Sequence, residues 1–303
     1  MLRRNVLILH AGALGDFVLA WPLILALGRL HPQSRIIVVT HASKGALAEA
    51  ALRVESADIE QGWHGLFTTG VPLADRAKTF VEGAHAIYTF LHESSDGLRG
   101  YAPEAQIVSL KTIPPEGWTR HASDWLLEQL APHPTVRAAV EQMLRSVNTR
   151  GVGTGRSHDG DVDVHPGSGS PNKCWPLERF VELIDRLRRG RLDVRVLLGE
   201  AELERFSKDQ ISAIEQRATV LRRPASFLEL FNELRSARAL VANDSGPAHL
   251  GAMVGVPTVA LFGPTDPAVW KPLGPNVTTL REEKLEKLSV AKVMAAVKPL
   301  LGE

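Results

Sequence analysis

The sequence predicts an α/β protein of two doubly wound domains facing each other. Three observations predict it. Short apolar runs alternate with helical stretches in both halves of the 303-residue chain. The runs Val6-Leu7-Ile8-Leu9 and Ala239-Leu240-Val241-Ala242 pass directly into glycine-bearing turns with an acid at the start of a helix. Between the halves, Asn148 to Gly160 is rich in Gly, Thr, Ser and Asp and reads as an interdomain linker. The domains are therefore 1–150 and 161–281, with a closing helix in 282–303.

In chain order, Val6 to Leu9 is a strand covered on both faces, and an apolar helix follows from Asp16 to about Leu30. Arg35 to Thr40 is β-branched and completes a βαβ opening. Ala86 to Phe90 and Gln106 to Leu110 are weaker strands, and helices run from Ala122 to Leu130 and from Val136 to Val147. The second half restarts with strand Asp161 to Val164, helix Leu177 to Arg189 and strand Val194 to Leu198. Helix Ser226 to Arg235, strand Ala239 to Ala242, helix His249 to Val254 and strand Thr258 to Phe262 follow. The tail from Glu282 to Leu301 has helical spacing and is expected to pack as one closing helix.

Composition bounds the function. Hydrophobic residues at 44% and charged residues at 23% are those of a globular chain. A net charge of +1 gives no global field for nucleic acid, so none is expected as a partner. The single cysteine, Cys174, excludes an intramolecular disulfide and agrees with a reducing, cytoplasmic setting. Met1-Leu2-Arg3-Arg4 has the charge of a signal start, but His10, Gly12, Gly15 and Asp16 interrupt the apolar run, so no secretion signal is assigned. Phe17 to Leu27 is about 11 residues long and contains Pro22, short of the ~20 that span a bilayer, so any membrane contact would be peripheral.

Four loops carry candidate chemistry. Gly12-Ala13-Leu14-Gly15-Asp16 joins the first strand to the first helix. Asp16 reads either as a helix cap or as a general base that takes a proton from an acceptor hydroxyl. The motif lacks the third glycine of a dinucleotide fingerprint, and its acid would repel a pyrophosphate. His165 to Pro176 is a Gly/Ser loop in which Ser168 and Ser170 let phosphate oxygens approach and Lys173 supplies a point charge; otherwise it is a flexible turn with a solvated lysine. Leu197 to Glu202 ends a strand with two acids, and either Glu200 or Glu202 could accept from ribose hydroxyls or merely favour a helix start.

The fourth and most informative loop is Asn243-Asp244-Ser245-Gly246-Pro247-Ala248-His249. Asp244 and Ser245 suit a helix cap, Gly246 allows close approach, and Pro247 suits the first helical turn. Such a helix start favours an anion, and the flanking acid, hydroxyl and imidazole point to a phosphate-bearing ligand with hydroxyls, such as a sugar nucleotide. His249 is alternatively a packing histidine, and the sequel Phe262-Gly263-Pro264-Thr265-Asp266-Pro267 is alternatively a rigid turn. No metal-ligand spacing occurs, and His92, His121, His158 and His165 are scattered, so no metal and no cofactor are expected.

Taken in order, these motifs resemble those of the lipopolysaccharide heptosyltransferases, glycosyltransferase family 9. The resemblance covers the first βαβ unit through Thr40, with Gly-x-Leu-Gly-Asp and Pro22, and most of Val164 to Asn276. It rests on His-Pro-Gly-Ser with Lys-x-Trp-Pro, on Asp-Ser-Gly-Pro-x-His, and on Phe-Gly-Pro-Thr-Asp-Pro. Trp118 to Leu130, with His121 and Asp124, is a fainter match, and Ala42 to Glu116 shows none. The resemblance implies a GT-B fold of two Rossmann-like domains and metal-independent, inverting transfer from a nucleotide sugar, usually ADP-heptose, to a saccharide or lipid-linked saccharide of the lipopolysaccharide core.

It also implies roles. Asp16 would be the catalytic base, and Lys173 would stabilise the diphosphate with Ser168 or Ser170. Ser245 and Gly246 would bind phosphate through N–H groups, Asp244 would hold sugar hydroxyls, and His249 would support the site. Glu200 or Glu202 would hold the ribose, with the adenine near Arg223 to Ser226. Gly12, Gly15 and, more weakly, His121 would face the acceptor. Ser245 replaces a more usual threonine and keeps its hydroxyl. The competing readings are another GT-B sugar-nucleotide enzyme, including an epimerase, and a non-catalytic sugar-nucleotide binding protein.

Overall fold

A computed structural model describes residues 4–68, 70–91, 94–152 and 160–302. The chain divides into two compact units, Met1–Arg145 and Ser146–Glu303.

The first unit runs β1 (Asn5–Leu9), α1 (Leu14–Leu19), α2 (Trp21–Leu30), β2 (Arg35–Thr40), α3 (Ala42–Leu52), β3 (Glu55–Asp58), α4 (Asp75–Glu82), β4 (Ala84–Thr89), α5 (Ser95–Tyr101), β5 (Gln106–Ser109), α6 (Ala122–Gln129) and α7 (Pro134–Arg150), the last continuing into the second unit. Its strands form one parallel sheet in the order β3-β2-β1-β4-β5. The order reverses at β1, which pairs with β2 on one side and β4 on the other, so a crevice opens at the carboxyl end of β1. Leu7, Leu9, Ile37, Val39 and Ile87 line one face and bury against Trp63, Phe80, Val81 and Leu98.

The expected single helix from Asp16 to Leu30 is two helices. Pro22 cannot donate to the carbonyl four residues back, and the chain breaks at Ala20 so that Pro22 falls in the first turn of α2. The helix expected to stop at Val147 continues to Arg150, so Asn148 to Arg150 are not linker. Nothing in Asn148-Thr149-Arg150 forbids a helix. It ends where Gly151 takes φ 70° and donates to the Val147 carbonyl at 2.7 Å. Residues 153–159, the middle of the expected linker and the site of His158, lie outside the described residues, as does His92.

The second unit continues with β6 (Val162–His165), α8 (Leu177–Arg189), β7 (Val194–Leu197), α9 (Glu200–Arg205), α10 (Lys208–Glu215), β8 (Val220–Arg222), α11 (Phe227–Leu234), β9 (Ala239–Asn243), α12 (Gly246–Met253), β10 (Thr258–Phe262), α13 (Pro267–Trp270), β11 (Val277–Arg281) and α14 (Val290–Val297). Its six strands are parallel in the order β11-β10-β9-β6-β7-β8, the dinucleotide-fold order, with the switch between β6 and β9. Val162, Val164, Val194, Val196, Val241, Val259 and Leu261 pack against Trp175, Phe180, Leu183 and Leu187.

The tail is not one helix. A 3-10 turn at Leu285–Lys287 precedes α14, and a second one at Lys298–Leu301 follows it. The Ser289 hydroxyl accepts from Lys292 N–H and starts α14 afresh, while the Leu288 carbonyl turns aside to accept from the Trp175 indole at 3.0 Å. Val290, Val293 and Val297 still bury in the second core.

One buried ion pair ties β6 to β7. Asp163 is fully buried and accepts two hydrogen bonds from Arg195, at 2.8 and 2.9 Å. That bidentate geometry offsets only part of the cost of taking both charges out of water, and burial still pushes the Asp163 carboxyl up to about 7.

Candidate functional site

In the second unit the loops after β6, β9 and β10 are tied together at the carboxyl edge of the sheet. Asn243, the last residue of β9, is fully buried and acts as the staple. Its Oδ1 accepts from the Trp175 N–H at 2.9 Å, and its Nδ2 donates to the Pro166 carbonyl at 2.8 Å. Both ends of the His165–Pro176 loop are thus fixed by one amide, which sets the Gly/Ser segment in place before any ligand arrives. Sequence reasoning passed over Asn243 as a turn residue, although an amide at a buried strand end was the available signal.

Asp244 follows it and is 5% exposed. Its Oδ2 accepts from Lys173 Nζ at 2.9 Å and from the Thr265 hydroxyl at 2.6 Å, while its Oδ1 lies 4.0 Å from His249 Nε2. Four residues singled out by motif, Lys173, Asp244, Thr265 and His249, therefore meet around one carboxylate. The sequence offers Thr265 within the Phe262–Pro267 motif but assigns it no task of its own; its contact with Asp244 brings it into the cluster. Asp244 is not a helix cap, as its carboxylate faces Lys173 and Thr265.

Ser245 occupies the N-cap position of α12, but its hydroxyl donates to the Asn243 carbonyl at 3.0 Å and does not cap the helix. Among the described residues no backbone acceptor pairs with the Gly246 and Ala248 N–H groups, and Pro247 has no N–H. Ser245 and Gly246 are half-buried, which leaves an anion access to them. Ser168 is buried, and its hydroxyl donates to the Asp244 carbonyl at 2.9 Å, so it joins the two loops; Ser170, half-buried, is the more accessible of the pair.

The two acids after β7 are separated by the fold. Glu202 is 4% exposed, accepts from Gly199 N–H at 2.8 Å and lies 3.6 Å from His165 Nε2. Burial alone would raise its pKa, but the hydrogen bond and charge of His165 and the Gly199 N–H outweigh it, and the carboxyl is held below its ordinary range. Glu202 is thus a brace beneath Gly167. Glu200 is exposed in the first turn of α9 and is the acid open to a ligand. Arg205, which the sequence did not single out, lies at the same loop and donates to the Ser168 carbonyl at 3.0 Å.

In the first unit the crevice residue is Asp16. The N-cap of α1 is Ala13, Gly15 is the second residue of the helix and Asp16 the third, so Asp16 does not occupy the capping position. It is half-buried. Gly12 is needed where it stands, since a Cβ there would meet the His10 ring at 2.9 Å and Asp16 Oδ2 at 3.4 Å. The Lys44 ammonium of α3 donates to the Gly12 carbonyl from below. His121 is the N-cap of α6, its Nδ1 accepting from Ser123 N–H at 3.1 Å, which gives it a structural task. Among the described residues, no three His, Cys, Asp or Glu side chains group as metal ligands, and no helix is long and apolar enough to cross a membrane.

The family model for glycosyltransferase family 9 (heptosyltransferase) matches residues 122–298, more than half of the chain and the three candidate loops of the second unit. The chain belongs to glycosyltransferase family 9. A curated family relative, lipopolysaccharide heptosyltransferase 3 of Escherichia coli, is 28% identical over 148 residues, which is 46% of this chain and 40% of that protein. The match thus spans about two fifths of the relative's length.

Solved structures extend the likeness to the whole fold. A glycosyl transferase family 9 protein from Veillonella parvula superposes with a TM-score of 0.74 at 19% identity, covering 98% of this chain and 97% of that one. An E. coli heptosyltransferase with ADP gives 0.70 at 19% identity, covering 98% and 99%. At such identities the superpositions speak for the fold alone, the GT-B class with its two Rossmann-like domains.

Proposed function

We propose that this family 9 member is a glycosyltransferase that moves a heptose from ADP-heptose to a saccharide acceptor of the lipopolysaccharide core, with inversion and without a metal ion. One observation carries the reading. At the switch point of a dinucleotide-type sheet, Lys173, Asp244 and the start of α12 combine a cation, a buried acid and helix-end N–H groups within one small cluster.

That cluster suits a sugar diphosphate. Lys173 and the N–H groups of Ser245 and Gly246 offset the charge that grows on the departing diphosphate, which is where electrostatic stabilisation lowers the barrier most. Asp244 accepts from sugar hydroxyls, and Glu200 accepts from the ribose. Asp16 takes the proton of the acceptor hydroxyl as its oxygen bonds to the anomeric carbon. The bond from that carbon to the diphosphate oxygen breaks with its electron pair going to ADP, and attack from the opposite face inverts the centre. The activity is placed in the cytoplasm, with membrane contact, where it occurs, peripheral.

The experiment is ADP release from ADP-heptose in the presence of a heptose-deficient lipopolysaccharide core. Wild type should release ADP only with acceptor present. Asp16→Asn should lose transfer while still binding ADP. Transfer by Asp16→Asn near the wild-type rate would remove Asp16 as the base, and turnover of the donor without acceptor would replace the transferase reading with an epimerase or hydrolase.

A further inference from the structure

Lys44 lies in a part of the chain where no motif resembles the family, in the first turn of α3, yet the fold brings it beneath the Gly12 turn. It is 5% exposed, unusual for a lysine. Its Nζ donates to the Gly12 carbonyl and lies 3.4 Å from the Ala11 carbonyl, 33 residues away in sequence. A buried ammonium is costly unless charge and hydrogen bonds compensate it. Two backbone carbonyls supply part of that compensation. The Asp16 carboxylate supplies more: burial lowers the Lys44 pKa from its ordinary value, and the Asp16 charge acts against that fall.

Lys44 and Asp16 act on each other electrostatically within this unit. His10, at the end of β1, flanks the same glycine, since a Cβ on Gly12 would meet both His10 and Asp16. His10 is fully buried between the rings of Phe17 and Phe90, at centroid distances of 5.4 and 5.0 Å. Burial, helped by the charge of Lys44, lowers its pKa to about 3, so it carries no charge near neutrality. The Gly12 position has room for nothing larger, which keeps the turn, the ammonium and the carboxylate at close quarters.

We propose that Lys44 is a positioning residue for Asp16: it ties down the carbonyls of the Ala11–Gly12 turn and places a positive charge beside the carboxylate, so that the base stands ionised and aimed. This rests on the reading of Asp16 as the base. A general base must be unprotonated at working pH and held in one direction; a buried cation fixed to the adjoining backbone serves both needs without touching substrate.

The test uses the full chain with 13C-labelled aspartate and lysine, the Lys44 Cε resonance being identified by its loss in Lys44→Gln. The Asp16 carboxyl resonance is identified by its loss in Asp16→Asn, and its titration is followed in wild type, Lys44→Gln and Lys44→Arg. Gln keeps an N–H for the Gly12 carbonyl and removes the charge, whereas Arg keeps the charge. The Asp16 midpoint should rise by about 1 pH unit in Lys44→Gln and return toward wild type in Lys44→Arg, as removal of a close opposite charge demands. The acid limb of the transfer rate should move by the same amount. In wild type, which needs no variant to fold, the Lys44 Cε resonance should shift as Asp16 titrates. An Asp16 midpoint unmoved in Lys44→Gln, or a Lys44 Cε resonance blind to the Asp16 titration, overturns the proposal and leaves the base assignment standing. Wild-type transfer by Asp16→Asn overturns both.

Discussion

Lys173 Nζ and Asp244 Oδ2 lie 2.9 Å apart and join two loops separated by 71 residues. Asp244 is nearly inaccessible, while about a third of the Lys173 side chain reaches solvent, so the lysine can turn to an incoming anion while the acid stays in place. On the proposed function, a ligand's phosphate takes up the lysine and its hydroxyls take up the acid.

The first prediction follows from that geometry. Lys173→Ala should weaken ADP by about ten- to a hundred-fold, the worth of one charge-assisted hydrogen bond, and leave adenosine within about two-fold. Calorimetric titration with both ligands checks it. Equal losses for ADP and adenosine would show that Lys173 supports the loop and does not meet the diphosphate.

The second concerns the brace beneath the His165–Pro176 loop. A Cβ on Gly167 would come within 1.8 Å of Glu202 Oε1, so Gly167→Ala must displace a buried carboxylate that holds Gly199 N–H and faces His165. Overpacking of this kind costs about 1–3 kcal/mol, a lowering of the melting temperature by several degrees. Gly167→Ala/Glu202→Ala should be more stable than the sum of the two single losses implies, because the clash disappears with the glutamate. Strict additivity of the melting data would mean that the two residues do not meet.

These contacts also mark what the sequence could tell. The central strands β1, β9 and β10 are buried on both faces, so each reads as a nearly unbroken apolar run and was legible. The edge strands β3, β8 and β11 were not, whereas β5, also at an edge, was. β3 is Glu55-Ser56-Ala57-Asp58, which pairs with β2 through its backbone and has no hydrophobic signature. β8 is three residues long, and β11 mixes threonine with apolar residues. The glycine loops were legible because tight turns at strand ends demand particular residue types.

Partnerships across the fold were not. Lys44 reaches Gly12 from another helix, Thr265 reaches Asp244 from the next strand's loop, and only packing distinguishes the buried Glu202 from the exposed Glu200. Periodicity and spacing describe one segment at a time and carry no distance between segments.

The third prediction isolates Thr265. Its hydroxyl donates to Asp244 Oδ2 at 2.6 Å, and Thr265→Val removes that donor with little change of shape. A buried carboxylate that loses one of its donors should cost about 1.5–3 kcal/mol, since the acceptor is charged. Thr265→Ser should recover most of it. Denaturant unfolding of the three proteins decides the matter: a Val variant as stable as wild type would mean that Lys173 alone satisfies Asp244.

The last prediction turns on the pH dependence set by His10. In the unfolded chain its imidazole titrates near 6.5; in the fold, burial first and the Lys44 charge second lower the pKa to about 3. Between those two values the unfolded chain binds a proton that the folded one refuses, so stability must fall as the solution is acidified through that window. From pH 6.5 to pH 5 the loss attributable to His10 is about 2 kcal/mol. His10→Phe fills the same site between Phe17 and Phe90 and cannot titrate. Its stability relative to wild type should therefore improve steadily on going from pH 7 to pH 5, whatever the offset at pH 7. A difference between the two proteins that stays constant over this range would mean that His10 is protonated alike in both states, and that the floor of the Gly12 turn is not the dry, uncharged surface the packing describes.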